Sequence, residues 1–121
     1  MAVKSIGIVG CGAIGKALVR AVEAGKLAVR IAGVTSRSPD SAREFLAGFR
    51  NPPSYLPLSQ LIEASDLLVE AAGGHVVVEL ARSTFAAGKD LVINDHHGSF
   101  QKSVFFQNVF PVILFFQLFI L

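Results

Sequence analysis

A cluster of glycines directly behind a short apolar segment limits this chain more than any other feature. Ser5-Ile6-Gly7-Ile8-Val9 has the near-continuous apolar character of a buried strand, and Gly10-Cys11-Gly12-Ala13-Ile14-Gly15 follows at once. From Ala13 to Ala24 the apolar residues Ile14, Ala17, Leu18, Ala21 and Val22 recur at three- and four-residue spacing. That spacing predicts a helix, and Gly25 is placed to stop it. The first amides of a helix lack internal partners and lie at the positive end of its dipole, so they attract an anion. Gly10 permits a tight exit from the strand, Gly12 lets backbone approach a diphosphate, and Gly15 lets the helix pack on the strand. The expected contact with a dinucleotide diphosphate therefore runs through Gly10, Cys11, Gly12, Ala13, Ile14 and Gly15.

The pattern of alternating elements continues downstream. Leu27 to Val34 reads as a second strand, Ser36 to Asp40 as a turn, and Ser41 to Phe49 as a helix with Ser38 or Asp40 as its N-cap. Asn51-Pro52-Pro53-Ser54 breaks the chain, and Tyr55-Leu56 is a candidate short strand. Ser59 to Ala64 is expected to be helical, Asp66 to Ala72 a strand ending in Gly73-Gly74, Val76 to Ala87 a helix closed by Gly88, and Asp90 to Asn94 a strand. Alternation with apolar strands predicts an α/β domain: a doubly wound parallel sheet covered on both faces, the Rossmann NAD(P)-binding architecture. In such a sheet ligands sit beyond the carboxyl ends of the strands, which adds Ala71, Ala72 and Gly73 to the cofactor-binding candidates.

Composition bounds the partners. The chain has 121 residues, 52% of them hydrophobic and 17% charged, which suits one domain with a real core and excludes a disordered chain. The net charge is +2 and the basic residues are scattered, so no nucleic-acid partner is expected. The lone Cys11 cannot form an internal disulfide, and Met1 to Lys4 carries no secretory pattern; a cytoplasmic setting is expected.

A site selective for NAD usually has an acidic residue at the end of the second strand, bonded to the ribose 2′-hydroxyl. Here Val34-Thr35-Ser36-Arg37-Ser38 offers no carboxylate before Asp40. Ser36, Arg37 and Ser38 are donors suited to a 2′-phosphate, so NADP or NAD is the expected cofactor, with NADP accepted.

Four phrases resemble the aspartate dehydrogenases, within the aspartate/homoserine dehydrogenase NAD-binding domains. They run from Ile6 to Gly15, Ala32 to Arg37, Asp66 to Ala72 and Ala86 to Ile93, and the resemblance covers about residues 3 to 94. It implies NAD(P)-linked oxidation of L-aspartate to iminoaspartate, a precursor for NAD biosynthesis. It also implies a second domain that holds substrate and a catalytic histidine. Nothing here matches that domain, so no catalytic residue is carried over, and the chain by itself is expected to be inactive. The departure begins at Asn94-Asp95-His96-His97-Gly98, where the family has a small-residue turn near the nicotinamide. A non-catalytic, truncated dinucleotide-binding module, or the cofactor domain of another reductase such as a homoserine dehydrogenase, is the alternative.

Other polar residues invite chemistry less. Glu70 lies within an apolar strand and is expected to have a buried partner or to reach the strand's polar end, in a structural role. His75 is expected to cap a helix or face solvent. Asp95, His96 and His97 have no further Cys or His to complete a zinc shell, so no metal is expected.

Vocabulary changes near residue 95. Every alanine lies at or before Ala87, whereas seven of the ten phenylalanines lie from Phe100 onward. Residues 1–94 are therefore read as the domain and 95–121 as an atypical apolar tail. Residues 104–121 carry no charge and are long enough to be a membrane-span candidate, but three amides, Pro111 and the lack of flanking charge oppose that reading. An out-of-frame or alternatively spliced ending, and a segment packed on the sheet or a partner, are the competing explanations. An exposed tail of this kind would promote self-association.

Overall fold

The computed structural model describes residues 5–71, 77–94 and 100–102. The elements alternate as expected: β1 (Ser5–Val9), α1 (Ala13–Glu23), β2 (Arg30–Thr35), α2 (Pro39–Leu46), α3 (Leu58–Ala64), β3 (Leu67–Glu70), α4 (Val77–Ala86), β4 (Asp90–Asn94) and β5 (Phe100–Lys102). They build one sheet in the order β2-β1-β3-β4-β5. The first four strands are parallel, and β5 pairs antiparallel with β4. The tail reading anticipated no strand in the segment that holds β5.

Strand alternation divides the core between two faces. Ile6, Ile8, Leu67, Val69 and Val92 meet Leu18 and Val19 of α1 and Phe45 of α2. Val9, Leu68 and Leu91 meet Leu61 and Ile62 of α3 and Leu80 of α4 on the opposite face. Consecutive strand residues point to opposite faces, so a near-continuous apolar strand requires cover on both. That is the doubly wound arrangement.

Several boundaries moved for local reasons. Helix α1 ends at Gly25, whose φ of +73° suits a residue without a β-carbon. The Gly25 amide donates to the Val22 carbonyl and the Lys26 amide to the Ala21 carbonyl, which closes the helix end. Leu27 then folds into the core, and the Val29 amide donates to the Leu27 carbonyl at 3.0 Å. That tight turn delays β2 to Arg30, rather than the expected Leu27. Helix α2 starts at Pro39, two residues before the expected Ser41, because Ser38 caps it and proline suits the first helical position. Tyr55-Leu56 makes one parallel bridge to Val34 and not a strand. Pro53 and Pro57 flank it and lack the amides a longer ladder needs.

The amino end of the sheet is tied off by polar side chains. The buried Ser5 amide donates to Asp66 Oδ2 at 2.9 Å, and Ser5 Oγ donates to the Ala64 carbonyl at 3.1 Å. Above this tie α3 lies directly on β1. A β-carbon at Gly7 would stand 2.8 Å from Leu68 Cδ1 and 2.9 Å from Leu61 Cγ, and closer still to Ser65 Oγ. Ser65 cannot retreat freely, since its hydroxyl donates to the Leu61 carbonyl at 2.6 Å.

Gly7→Val is therefore expected to lower unfolding free energy in urea by about 2 kcal/mol, although valine favours strands. A neutral result would show that α3 does not rest on the strand backbone. A second expectation concerns pH. Burial pushes the Asp90 carboxyl above its ordinary range. A raised native pKa contributes stability that is present below the unfolded value and lost as pH rises through the native one. Asp90→Asn should match the wild type in acid and unfold at higher temperature near neutrality; thermal scans across pH test this.

Candidate functional site

The chain's path through the sheet marks where a ligand can enter. From β1 it moves outward to β2 at the edge, then crosses back to β3 on the other side of β1. The connections leaving β1 and β3 therefore diverge, and a crevice opens beyond the carboxyl ends of these strands. A cleft of about 560 Å³ occupies that place, within the usual size of a small-ligand site.

Hydrogen bonds hold the strand ends that floor the cleft. The Gly10 amide donates to the Thr35 carbonyl and the Ala71 amide to the Val9 carbonyl, both at 2.8 Å. Gly10 leaves β1 with a φ of +110°, a conformation open to glycine and costly to other residues. Gly12 is the N-cap of α1, and its hypothetical β-carbon would lie 3.0 Å from the Ala71 carbonyl oxygen. The helix therefore begins pressed against the end of β3. Gly12 offers no side chain to cap the first amides of α1, and the first turn holds no acidic residue. Gly15 sits three residues further on, in the first turn of α1, where a β-carbon would meet Ile8 Cγ2 at 3.1 Å. This is the helix–strand packing expected of it.

The turn between β2 and α2 forms a second wall. Ser36 Oγ accepts from the Ser38 amide, and Ser38 Oγ accepts from the Ser41 amide, each at 3.3 Å. Both hydroxyls act as acceptors toward backbone and keep their own O–H for donation. Arg37 lies between them, exposed. The Tyr55 hydroxyl reaches the Ser36 carbonyl at 3.4 Å from the neighbouring segment.

Most of the predicted residues thus converge. Gly10, Cys11, Gly12, Ser36, Arg37, Ser38 and Ala71 line one cleft. Ala13, Ile14 and Gly15 do not line it and instead form the first turn of α1. Ala72, Gly73, His75 and the segment from Asp95 to Gly98 lie outside the described residues, as does 104–121. Cys11 is half-buried against the core formed by α1 and α2. Glu70 is only 1% exposed, at the end of β3. Among the described residues no group of His, Cys, Asp or Glu could hold a metal, and no helix is long and apolar enough to cross a membrane.

Sequence reasoning missed Val9, Thr35, Ser41, Leu58, Glu79 and Leu80, which also line the cleft; Val9 and Thr35 are the last residues of β1 and β2. Ser41 was legible as a first-turn helix residue beside Ser38. Leu58, Glu79 and Leu80 carry no local signal, because only the fold brings the starts of α3 and α4 beside the glycine turn.

Comparison with known proteins agrees with this architecture. Residues 10–101 match the homoserine dehydrogenase NAD binding domain. The chain belongs to that family. It is 38% identical over 88 residues to the L-aspartate dehydrogenase of Methanocella arvoryzae, covering 73% of this chain and 33% of that protein. Against the L-aspartate dehydrogenase of Methanosarcina acetivorans the figures are 34% over 89 residues, 73% and 33%. The chain thus spans about a third of the length of the curated relatives it matches. A homoserine dehydrogenase from Thiobacillus denitrificans superposes with a TM-score of 0.62 at 22% identity, over 78% of this chain and 24% of that one. This last likeness concerns the fold. The chain is an NAD-binding domain related to the L-aspartate dehydrogenases.

The Ser38 cap gives the site a stability test. Ser38→Ala should cost about 1 kcal/mol in chemical unfolding, and Ser38→Asn should recover most of it. Equal loss in both variants would mean that the hydroxyl does not cap α2.

Proposed function

We propose that this chain is the cofactor-binding part of an L-aspartate dehydrogenase-like oxidoreductase, with residues 1–94 as its dinucleotide-binding domain. The observation that carries the reading is the glycine turn. At Gly12 the backbone approaches the β3 end so closely that a β-carbon would lie 3.0 Å from the Ala71 carbonyl oxygen, and amides of α1 without a side-chain cap open beside a cleft. That is a cradle for a diphosphate, built from backbone and independent of lysine. Gly10, Cys11 and Gly12 would hold the diphosphate from the turn, with the amides of Ala13, Ile14 and Gly15 behind them. Ala71, with Ala72 and Gly73 after it, would border the ligand from the end of β3. The relatives' names support aspartate as the substrate, and the bound dinucleotide would supply hydride exchange with its α-carbon.

The turn after β2 favours NADP. Its hydroxyls and the Arg37 guanidinium present donors and positive charge where an NAD-selective site usually places a carboxylate. Asp40, the nearest acid in sequence, stands in the first turn of α2 and pairs with Arg43 at 3.3 Å. The same turn would still accommodate NAD, with fewer charged contacts.

Calorimetry of the full chain with NADP and with NAD tests both parts. Saturable binding of each is expected, tighter for NADP. Gly12→Val should weaken both by tenfold or more. Arg37→Asp should weaken NADP about tenfold and NAD little, since a hydrogen bond to a charged group contributes roughly 1.5–3 kcal/mol. Failure of the wild type to bind either dinucleotide would overturn the reading. Equal loss for both in Arg37→Asp would overturn the 2′-phosphate assignment alone. Aspartate-dependent reduction of the bound dinucleotide would further separate a dehydrogenase from a binding module.

A further inference from the structure

Two successive carbonyls at the end of β2 are bound by different parts of the chain. The Thr35 carbonyl accepts from the Gly10 amide at 2.8 Å, which ties the strand end to the glycine turn. The Ser36 carbonyl accepts from the Tyr55 hydroxyl at 3.4 Å. That second bond comes from a residue that does not itself line the cleft.

Tyr55 is held where it can make this bond. The Val34 amide donates to the Ser54 carbonyl at 2.9 Å and the Leu56 amide to the Val34 carbonyl at 3.0 Å, so both neighbours of Tyr55 are bound to one residue of β2. The two segments are in close contact, because a β-carbon at Gly33 would stand 2.9 Å from Leu56 Cδ1 and 3.0 Å from the Ser54 carbonyl oxygen. Leu56 in turn packs against the core beneath α3. Tyr55 is level with Val34 in their parallel bridge, and its hydroxyl reaches Ser36, two residues further on. Two residues of parallel strand rise about 6.6 Å, a span that needs a long side chain ending in a donor.

The bond bears on the peptide that follows. A trans peptide is planar, with its C=O and N–H pointing in opposite directions. No cis peptide occurs among the described residues. Holding the Ser36 carbonyl toward Tyr55 therefore aims the Arg37 amide away from it and sets the plane from which Arg37 continues. Ser36 Oγ also accepts from the Ser38 amide at 3.3 Å, which carries the same orientation on to Ser38.

We propose that Tyr55 is a positioning residue for dinucleotide choice: its hydroxyl holds the Ser36–Arg37 peptide so that the donors of the turn after β2 meet a 2′-phosphate together. This assignment rests on the reading of that turn given above. Tyr55 acts through the turn and not on the ligand. NAD, which lacks the phosphate, draws little on the turn's donors and is indifferent to their alignment.

Calorimetry of the full chain with NADP and with NAD, alongside urea unfolding of the free protein, tests this. Tyr55→Phe keeps the ring and the backbone bonds to Val34 and loses only the exposed hydrogen bond. It should weaken NADP about threefold, leave NAD unchanged and leave the unfolding midpoint near the wild type. Tyr55→Leu also removes the ring and should lower the midpoint, yet its NADP-to-NAD ratio should equal that of Tyr55→Phe, because the ratio follows the hydroxyl. An unchanged ratio in Tyr55→Phe would overturn the proposal and leave the dinucleotide reading intact. So would equal weakening of both ligands, or a ratio that falls in Tyr55→Leu alone, since each would make Tyr55 a brace for the fold only. A wild type that binds NAD and NADP equally would overturn the 2′-phosphate assignment and this proposal with it. Binding of neither ligand by the wild type would overturn the dinucleotide reading as well.

Discussion

The distance between the β1–α1 turn and the end of β3 governs the functional end of this molecule. Gly12 approaches the Ala71 carbonyl so closely that any side chain would have to displace it. The Ala71 amide is itself held by the Val9 carbonyl, and the Gly10 amide by the Thr35 carbonyl. Three strand ends and one helix start are thus fixed to one another by backbone contacts. Backbone placement leaves the floor of the cleft independent of side-chain rotamers, so it needs no rearrangement before a ligand arrives.

The two ends of the sheet are finished in opposite ways. At the amino end Ser5 and Asp66 satisfy each other's polar groups, and α3 closes over Gly7. At the carboxyl end the helices diverge around the switch between β1 and β3, and the first amides of α1 receive no cap from Gly12. Buried polar groups left unpaired are costly, so an uncapped helix start belongs where water or an anion can reach it. One end of the sheet is thus closed by packing, and the other opens into the cleft.

Much of this was legible in the sequence because it is local. A strand, three glycines at fixed offsets and a helical stripe lie within about twenty residues, and each step has its own steric reason. The positions of Gly25 and Gly88 as helix stops were legible for the same reason; both have a φ of +73°. What stayed hidden depended on contacts between distant segments. The early end of the strand reading at Leu27 follows from that residue's burial in the core, which periodicity does not reveal. Tyr55 looked like part of a strand, and prolines on either side reduced it to one bridge. Leu58, Glu79 and Leu80 belong to amphipathic helices whose sequences explain them fully as core or surface positions. Only the crossing of the chain over β1 turns them toward the glycine turn.

The chemistry of the lining residues also divides binding from reaction. Among the described residues, the titratable side chains of the cleft are Cys11, Arg37 and Glu79. Cys11 lies in the glycine turn, Arg37 in the turn after β2 and Glu79 in the first turn of α4. Proton transfer to or from a substrate amine requires a group within hydrogen-bond reach of that amine. In a doubly wound sheet the reactive ring of a dinucleotide extends away from the β2 edge, across β1 and toward β3 and β4. On the proposed reading, the residues that this cleft assembles would hold and select the cofactor and anchor its ring at a distance from themselves. Specificity for the nucleotide and specificity for the oxidised substrate are thus separable properties in this architecture. On that reading the former rests on the glycine turn and on the turn after β2.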